Sequence, residues 1–199
     1  MTTQSSLTLI IGPMFSGKTT KLLRTHNDIN FMKKIKSSSD KKNDILINFL
    51  GDTRYGESSK IVTHDGLSID CIATDNLNCL WKSSFSNLFN ENLIDNIFIN
   101  EGQFFHDIYK FVTYILDNSS INIYIAALDC DYKREKFGDI WNLFPHATHI
   151  DKLSGQCKFC KNKSIFTLRN TLDDKQTLIS SEIYEPVCRI CYIQKNKLK

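Results

Sequence analysis

Gly12-Pro-Met-Phe-Ser-Gly17-Lys18-Thr19 fits the pattern G-x-x-x-x-G-K-[ST], and it lies between an apolar run, Leu7 to Ile11, and a stretch of helical spacing. No other feature restricts the fold as strongly. A strand must enter this loop and a helix must leave it. Only then do successive backbone N–H groups curl round phosphate oxygens, with the positive end of the helix aimed at the same point. The expected phosphate ligands are Gly12, Pro13, Met14, Phe15, Ser16, Gly17, Lys18 and Thr19. Lys18 would reach the outer phosphates of a nucleoside triphosphate such as ATP, and the Thr19 hydroxyl would ligate Mg2+.

Further along, strand-like and helix-like segments alternate. Leu22, Leu23, Ile29, Met32 and Ile35 share roughly one side of the helix after the loop, Lys36 to Asp44 reads as a polar loop, and Ile45 to Leu50 reads as a strand. "IVTHDGLSI" alternates on both sides of Asp65-Gly66, which predicts a hairpin with a two-residue turn. Phe85, Leu88, Phe89 and Leu93 are spaced for a helix. A strand ending at Asn100, a helix carrying Phe105, Ile108, Val112 and Ile115, and a strand Ile121 to Leu128 follow. This order predicts the α/β class: a parallel sheet flanked by helices, with ligands at the carboxyl ends of its strands. After about Lys152 the chain turns to short polar pieces between cysteine pairs, so we expect a catalytic unit over residues 1–152 and a small appended unit over 153–199.

With 199 residues, a charged share of 24% and a net charge of +3, composition excludes little. Five arginines among twenty lysines argue against nucleic acid as the partner. The run Leu7 to Ile11 is too short for a signal peptide or a membrane span, so the expected compartment is a reducing cytoplasm with no membrane contact. In that setting Cys157-x-x-Cys160 and Cys188-x-x-Cys191 suggest metal before disulfide. Four thiolates make a closed, structural Zn2+ site.

The strand "NIFIN" ends in Asn100, where a P-loop protein commonly places an Asp to help hold magnesium, and Glu101 follows it. An amide oxygen can accept from Thr19 or from metal-bound water but adds no negative charge. Asp52 and Asp129, both close to strand ends, are candidates to supply it. Neighbouring strand residues point to opposite sides, so Asn100 can face the phosphate loop while Glu101 faces an acceptor hydroxyl as its base. A helix-capping glutamate is the other reading of Glu101.

Taken together, "GPMFSGKTT", "DTRYG", "THD", "EGQFF", "AALD" and the two cysteine pairs, in this order, resemble the type II thymidine kinases, cytosolic enzymes of animals and bacteria with relatives in poxviruses and other large DNA viruses. The resemblance covers nearly the whole chain outside the amino terminus and Lys33 to Asp44. It implies a P-loop kinase-like sheet with a C-terminal zinc-binding lasso, and ATP-dependent phosphorylation of thymidine to dTMP in deoxyribonucleoside salvage for DNA synthesis, by a homotetramer. It makes Glu101 the catalytic base, and puts Asp52, Thr53, Arg54, Asn100 and Gln103 about the phosphates. Met14, Phe104, Leu128, Tyr132 and Phe137 would surround thymine and deoxyribose, and Thr167, Gln176, Thr177, Leu178, Ile179, Ser180 and Tyr184 would form the lasso over the nucleoside. Departures include Asn100 for Asp, Tyr132 for Phe, and Ser180 and Ser181 where relatives tend to have glycine. Two other readings stay open: a P-loop ATPase whose zinc module contacts nucleic acid, and a kinase homologue weakened by Asn100.

Overall fold

A computed structural model describes residues 4–35, 42–52, 59–63, 66–90, 92–171, 173–178 and 183–196. Its centre is a six-stranded sheet built from β1 (Ser6–Gly12), β2 (Asn43–Phe49), β5 (Ile72–Thr74), β6 (Ile94–Ile99), β7 (Asn122–Leu128) and β8 (His149–Lys152). The order across the sheet is β5-β2-β6-β7-β1-β8 and every pairing is parallel. The loops after β1, β2, β6 and β7 therefore leave from one edge.

Period-two alternation sorts the side chains onto two faces. Leu7, Leu9, Ile11, Ile97, Ile99, Ile123 and Ile125 pack with Ile108, Phe111, Val112 and Ile115 of α4 (Ile108–Asn118). On the other face, Ile10, Leu46, Phe98 and Ala126 meet Leu22 and Leu23 of α1 (Lys18–Ile35). Met32 and Ile35, expected on the packed side of α1, are exposed. An 18-residue helix rises about 27 Å, against roughly 23 Å for a seven-residue strand, so its last turn overhangs the sheet.

Two local expectations are corrected. The region Leu77 to Asn90 is helical as α2 (Leu77–Leu80), a π-turn (Trp81–Phe85) and α3 (Ser86–Asn90), and Leu93 lies beyond it. The hairpin of β3 (Lys60–Val62) and β4 (Ser68–Asp70) forms, but its closing pair is Thr63–Leu67, with the Thr63 N–H donating to the Leu67 carbonyl at 2.9 Å. The turn is thus one residue longer than expected. It ends on Gly66 at φ +81°, the left-handed residue that three-residue hairpin loops require.

A row of polar side chains crosses the amino-terminal edge on the α1 face. The Ser6 hydroxyl donates to Asn122 Oδ1 (2.6 Å), the Asn122 amide to Asn96 Oδ1 (3.3 Å), and the Asn96 amide to Asp44 Oδ1 (2.7 Å). Lys33 of α1 closes the row on Asp44 at 2.6 Å. These residues are register partners across β1, β7, β6 and β2, so a slip of any one strand breaks the row.

Past Lys152 the chain forms two small antiparallel pairs, β9 (Gly155–Gln156) with β10 (Lys163–Ser164) and β11 (Phe166–Arg169) with β12 (Tyr184–Val187), and ends in α5 (Arg189–Asn196). Cys157, Leu168, Val187, Cys188, Cys191 and Tyr192 make a separate small core. Among the described residues no helix is long and apolar enough to cross a membrane. The polar row carries a prediction: Asn96→Ala removes a donor to a buried carboxylate and an acceptor for Asn122, and should cost about 2–3 kcal/mol. Urea denaturation should show a lower midpoint at unchanged slope, and a midpoint equal to wild type would mean that the row does not hold the register.

Candidate functional site

The loop between β1 and α1 has the shape its residues foretell. Gly17 sits at φ +83°, and a Cβ on Gly12 (φ +154°) would lie 2.6 Å from the Leu153 carbonyl oxygen, so neither position accepts a side chain without strain. The Ser16 hydroxyl and Lys18 Nζ both donate to the Pro13 carbonyl, at 2.8 and 2.7 Å. These bonds keep the loop tight and the ammonium folded over it. One loop amide, Met14 N–H, donates to Thr167 Oγ1 at 3.0 Å, which fastens the loop to β11.

Asn100 continues the α1 face of β6. Its Oδ1 accepts from the Thr19 hydroxyl (3.1 Å) and its amide donates to Asn48 Oδ1 on β2 (2.9 Å), all three groups lying at the carboxyl edge. Asn48 is 2% exposed, and its role was invisible in the sequence because one amide in an apolar strand carries no spacing signal. Glu101 does not reach the cleft by strand alternation. Its backbone is left-handed (φ 55°, ψ 40°), a conformation that costs a non-glycine residue on the order of 1–3 kcal/mol and turns the side chain back into the cleft that Lys18 and Thr19 line. Gln103 Nε2 donates to Glu101 Oε2 at 2.6 Å, while Gln103 Oε1 accepts from the Leu128 N–H at 3.0 Å. The carboxylate is thereby pinned between the ends of β6 and β7.

Of the residues expected about the phosphates, Met14, Phe15, Gly17, Lys18, Thr19, Asp52, Asn100 and Gln103 line this cleft with Glu101. Gly12, Pro13 and Ser16 shape the loop behind them. Met14, Phe104, Leu128, Tyr132, Phe137, Thr167, Gln176, Thr177, Leu178 and Tyr184 line its other part. Thr53, Arg54, Ile179 and Ser180 lie outside the described residues. Phe104 stacks on Phe49 (centroids 5.0 Å apart) and meets Phe137 edge-on at 5.4 Å, giving one aromatic wall. Phe49 was read only as strand, and Cys130 and Asp131, also lining the cleft, were not singled out at all. Burial and the carboxylates of Asp129 and Asp131 push the Cys130 thiol up to about 12.

Asp129, one candidate for the missing charge, pairs instead with Lys152 at 3.0 Å, and it does not line the cleft. Asp52 does line it.

The four cysteines of the carboxyl-terminal segment converge, with every Sγ within 4.8 Å of the others. Four sulfurs about 2.3 Å from a tetrahedral centre stand about 3.8 Å apart, so the cluster fits a metal ion of that kind. Burial pushes the Cys157 thiol up, but backbone amides of Cys188, Cys160 and Phe159 outweigh it and bring it down to about 6. Burial and its sulfur neighbours push Cys191 up to about 12. One thiolate raises the cost of the next, and a divalent cation is what lets all four ionise together.

A family model for thymidine kinase matches residues 5–192. Thymidine kinase a of Arabidopsis thaliana is 38% identical over 187 residues, covering 93% of this chain and 74% of the relative. The thymidine kinase of Yaba monkey tumor virus (strain VR587) is 36% identical over 189 residues, covering 94% of each. The cytosolic thymidine kinase of Homo sapiens is 32% identical over 194 residues, covering 97% of this chain and 75% of the relative. The family model spans all but the ends of the chain, these relatives are at least 32% identical over nearly its whole length, and the chain belongs to the thymidine kinase family.

Proposed function

We propose that this protein is a thymidine kinase that transfers the γ-phosphoryl group of ATP to the 5'-hydroxyl of thymidine, giving dTMP. The observation that carries the reading is the single cleft lined together by Lys18 and Thr19, by Glu101, and by the aromatic wall of Phe104 and Phe137. Lys18 and the loop amides bind the triphosphate, and Arg54 joins them to spread over charge that develops on the moving group. Glu101, oriented by Gln103, takes the proton of the 5'-hydroxyl as its oxygen attacks. The aromatic wall with Met14, Leu128 and Tyr132 orients the nucleoside, and Thr167, Gln176 to Ser180 and Tyr184 close over it and exclude water as a rival acceptor.

Magnesium, when bound beside the phosphates, neutralises their charge. Thr19 and Asn100 would hold it directly or through water, with Asp52 a nearby carboxylate of the cleft. The cysteine cluster takes Zn2+ as a structural ion, and its donor set leaves no position open for substrate. We assign residues 1–152 to the catalytic unit and 153–199 to the zinc unit with its lasso. Self-association as a homotetramer follows from the family resemblance, and the exposed Phe31, Met32 and Ile35 of α1 are apolar surface that such contacts could cover. A cytoplasmic setting agrees with the relatives named as cytosolic.

Incubation with ATP and a panel of nucleosides tests the reading: thymidine should give dTMP, whereas release of inorganic phosphate alone would point to an ATPase. Glu101→Gln should lower kcat by about 10²–10⁴-fold with little change in thymidine KM, the range for loss of a general base; full turnover in that variant would remove Glu101 from the chemistry. Asn100→Asp should shift the magnesium activation curve to lower concentration by about tenfold, the scale of one added charge partly offset by its desolvation. Superimposable titrations would show that the amide costs the site nothing. Zinc analysis should find one ion per chain, and Cys188→Ser should lose it, with weakened thymidine binding and a larger loss of stability than Asn96→Ala. A Cys188→Ser protein as stable as wild type would rule out a structural metal.

A further inference from the structure

Between β11 and β12 the chain leaves the small sheet at Asn170 and returns at Ile183, where the Asn170 N–H donates to the Ile183 carbonyl at 2.8 Å. No described residue of this connection is in a helix or strand, so its backbone carbonyls lack a ladder to satisfy them. Arg169, the last residue of β11, stands at its mouth with 1% of its surface exposed. Nη1 donates to the carbonyls of Asp173 (3.1 Å) and Lys175, and Nη2 donates to the Gln176 carbonyl (2.8 Å) and to the Tyr184 hydroxyl (2.5 Å). The guanidinium lies 3.7 Å from the ring centroid of Tyr132 and 5.1 Å from that of Tyr184, both lining the cleft. Tyr184 passes the contact on, its hydroxyl donating to the Leu178 carbonyl at 3.3 Å.

A second fastening holds the same segment from the opposite side. Gln176 Nε2 donates to Asp131 Oδ2 (2.9 Å) and to the Lys136 carbonyl (3.1 Å). Asp131 is itself held, since its Oδ1 accepts the N–H groups of Lys133 and Glu135 at 2.8 Å each. Gln176 is therefore tied through its backbone to Arg169 and through its side chain to the loop after β7, and Gln176, Thr177 and Leu178 form one wall of the cleft.

We propose that Arg169 is the positioning residue of the nucleoside-covering segment: its planar fork gathers three loop carbonyls and thereby sets the wall that the nucleoside meets, with Asp131 and Gln176 as the second latch. Only a guanidinium suits this place. It reaches several carbonyls in one plane and stacks on a ring with its face, whereas a lysine ammonium is a compact point charge with neither property. The naming of the ligand as thymidine rests on the function proposed above, but the fastening of the loop does not.

The test uses the full-length, zinc-loaded chain as wild type, Arg169→Lys and Gln176→Ala, reading kcat, KM for thymidine and for ATP, zinc content, and the rate of tryptic cleavage after Lys175 without nucleoside. Arg169→Lys should raise the thymidine KM about tenfold or more, the scale of one or two lost charge-assisted bonds, with ATP KM and zinc content unchanged and faster cleavage after Lys175. Gln176→Ala should move the same readouts in the same direction by less. A thymidine KM within twofold of wild type in zinc-loaded Arg169→Lys, or equal rises in both KM values, would overturn the assignment. Should Arg169→Lys fail to bind zinc or fold, Gln176→Ala decides: a selective rise in thymidine KM supports the latch, and unchanged values sink it. Wild-type protein with no thymidine turnover would defeat the kinase reading alone, since the cleavage rates still decide the role of Arg169.

Discussion

The hydrogen bond from the Thr19 hydroxyl to Asn100 Oδ1 joins the first turn of α1 to the end of β6, and Asn48 extends the contact to β2. Without it the phosphate loop would lose its direct tie to the end of β6, where Glu101 follows. With it, the first turn of α1 and the ends of two strands share one polar junction, and the side chain that follows Asn100 is delivered to the same cleft. The left-handed backbone of Glu101 belongs to the same arrangement. An extended residue there would carry its carboxylate along the sheet, while the αL turn folds it back toward Lys18 and Thr19. Such strain persists because Gln103 ties the carboxylate to the end of β7 and the sheet holds both strands in register.

The sheet thus has two polar ends with different work. At the amino edge, Ser6, Asn122, Asn96, Asp44 and Lys33 form a closed row that specifies which residues stand opposite one another. At the carboxyl edge, Thr19, Asn100, Glu101 and Gln103 face the cleft instead. The stacked rings of Phe98 and Tyr124, 4.8 Å apart, separate the two along the α1 face. A register slip at the first row would displace Asn100 from Thr19 at the second, so the packing at one edge sets the geometry at the other.

Much of this was legible in the sequence for a physical reason: period-two and period-3.6 patterns report burial, and a phosphate loop with glycines at fixed positions can serve only one backbone shape. The strand ends at Gly12, Ile99 and Leu128 therefore fell within one residue of where the patterns placed them. The length of the hairpin turn did not, since Asp-Gly suits both two- and three-residue loops and the Thr63–Leu67 pair decides between them. Nor did the side-chain partners of polar residues. Asn48, Asp131 and Arg169 are isolated in sequence, and each acquires its role from a residue 37 to 52 positions away or from carbonyls of a loop without pattern. Asp129 shows the converse: its place near a strand end suggested a metal ligand, yet Lys152 takes its charge.

The junction itself is neutral, and that has an energetic logic. A carboxylate at position 100, buried as deeply as this amide, would need a cation to offset its desolvation, and the effective penalty for a buried ion is several kcal/mol. Two amides, Asn48 and Asn100, satisfy each other instead at 2.9 Å and still offer Thr19 an acceptor, so the junction is stable whether or not a metal is beside it. On the function proposed above, the negative charge for a magnesium ion would be left to more exposed groups of the cleft, such as Asp52, whose hydration costs less to disturb. The phosphate loop gains a further tie from outside the sheet, through Met14 N–H and Thr167. Because Thr167 shares β11 with Arg169, the strand that steadies the phosphate loop also anchors the segment around Asp173 to Gln176, and a loosened cysteine cluster would reach both walls of the cleft through that one strand.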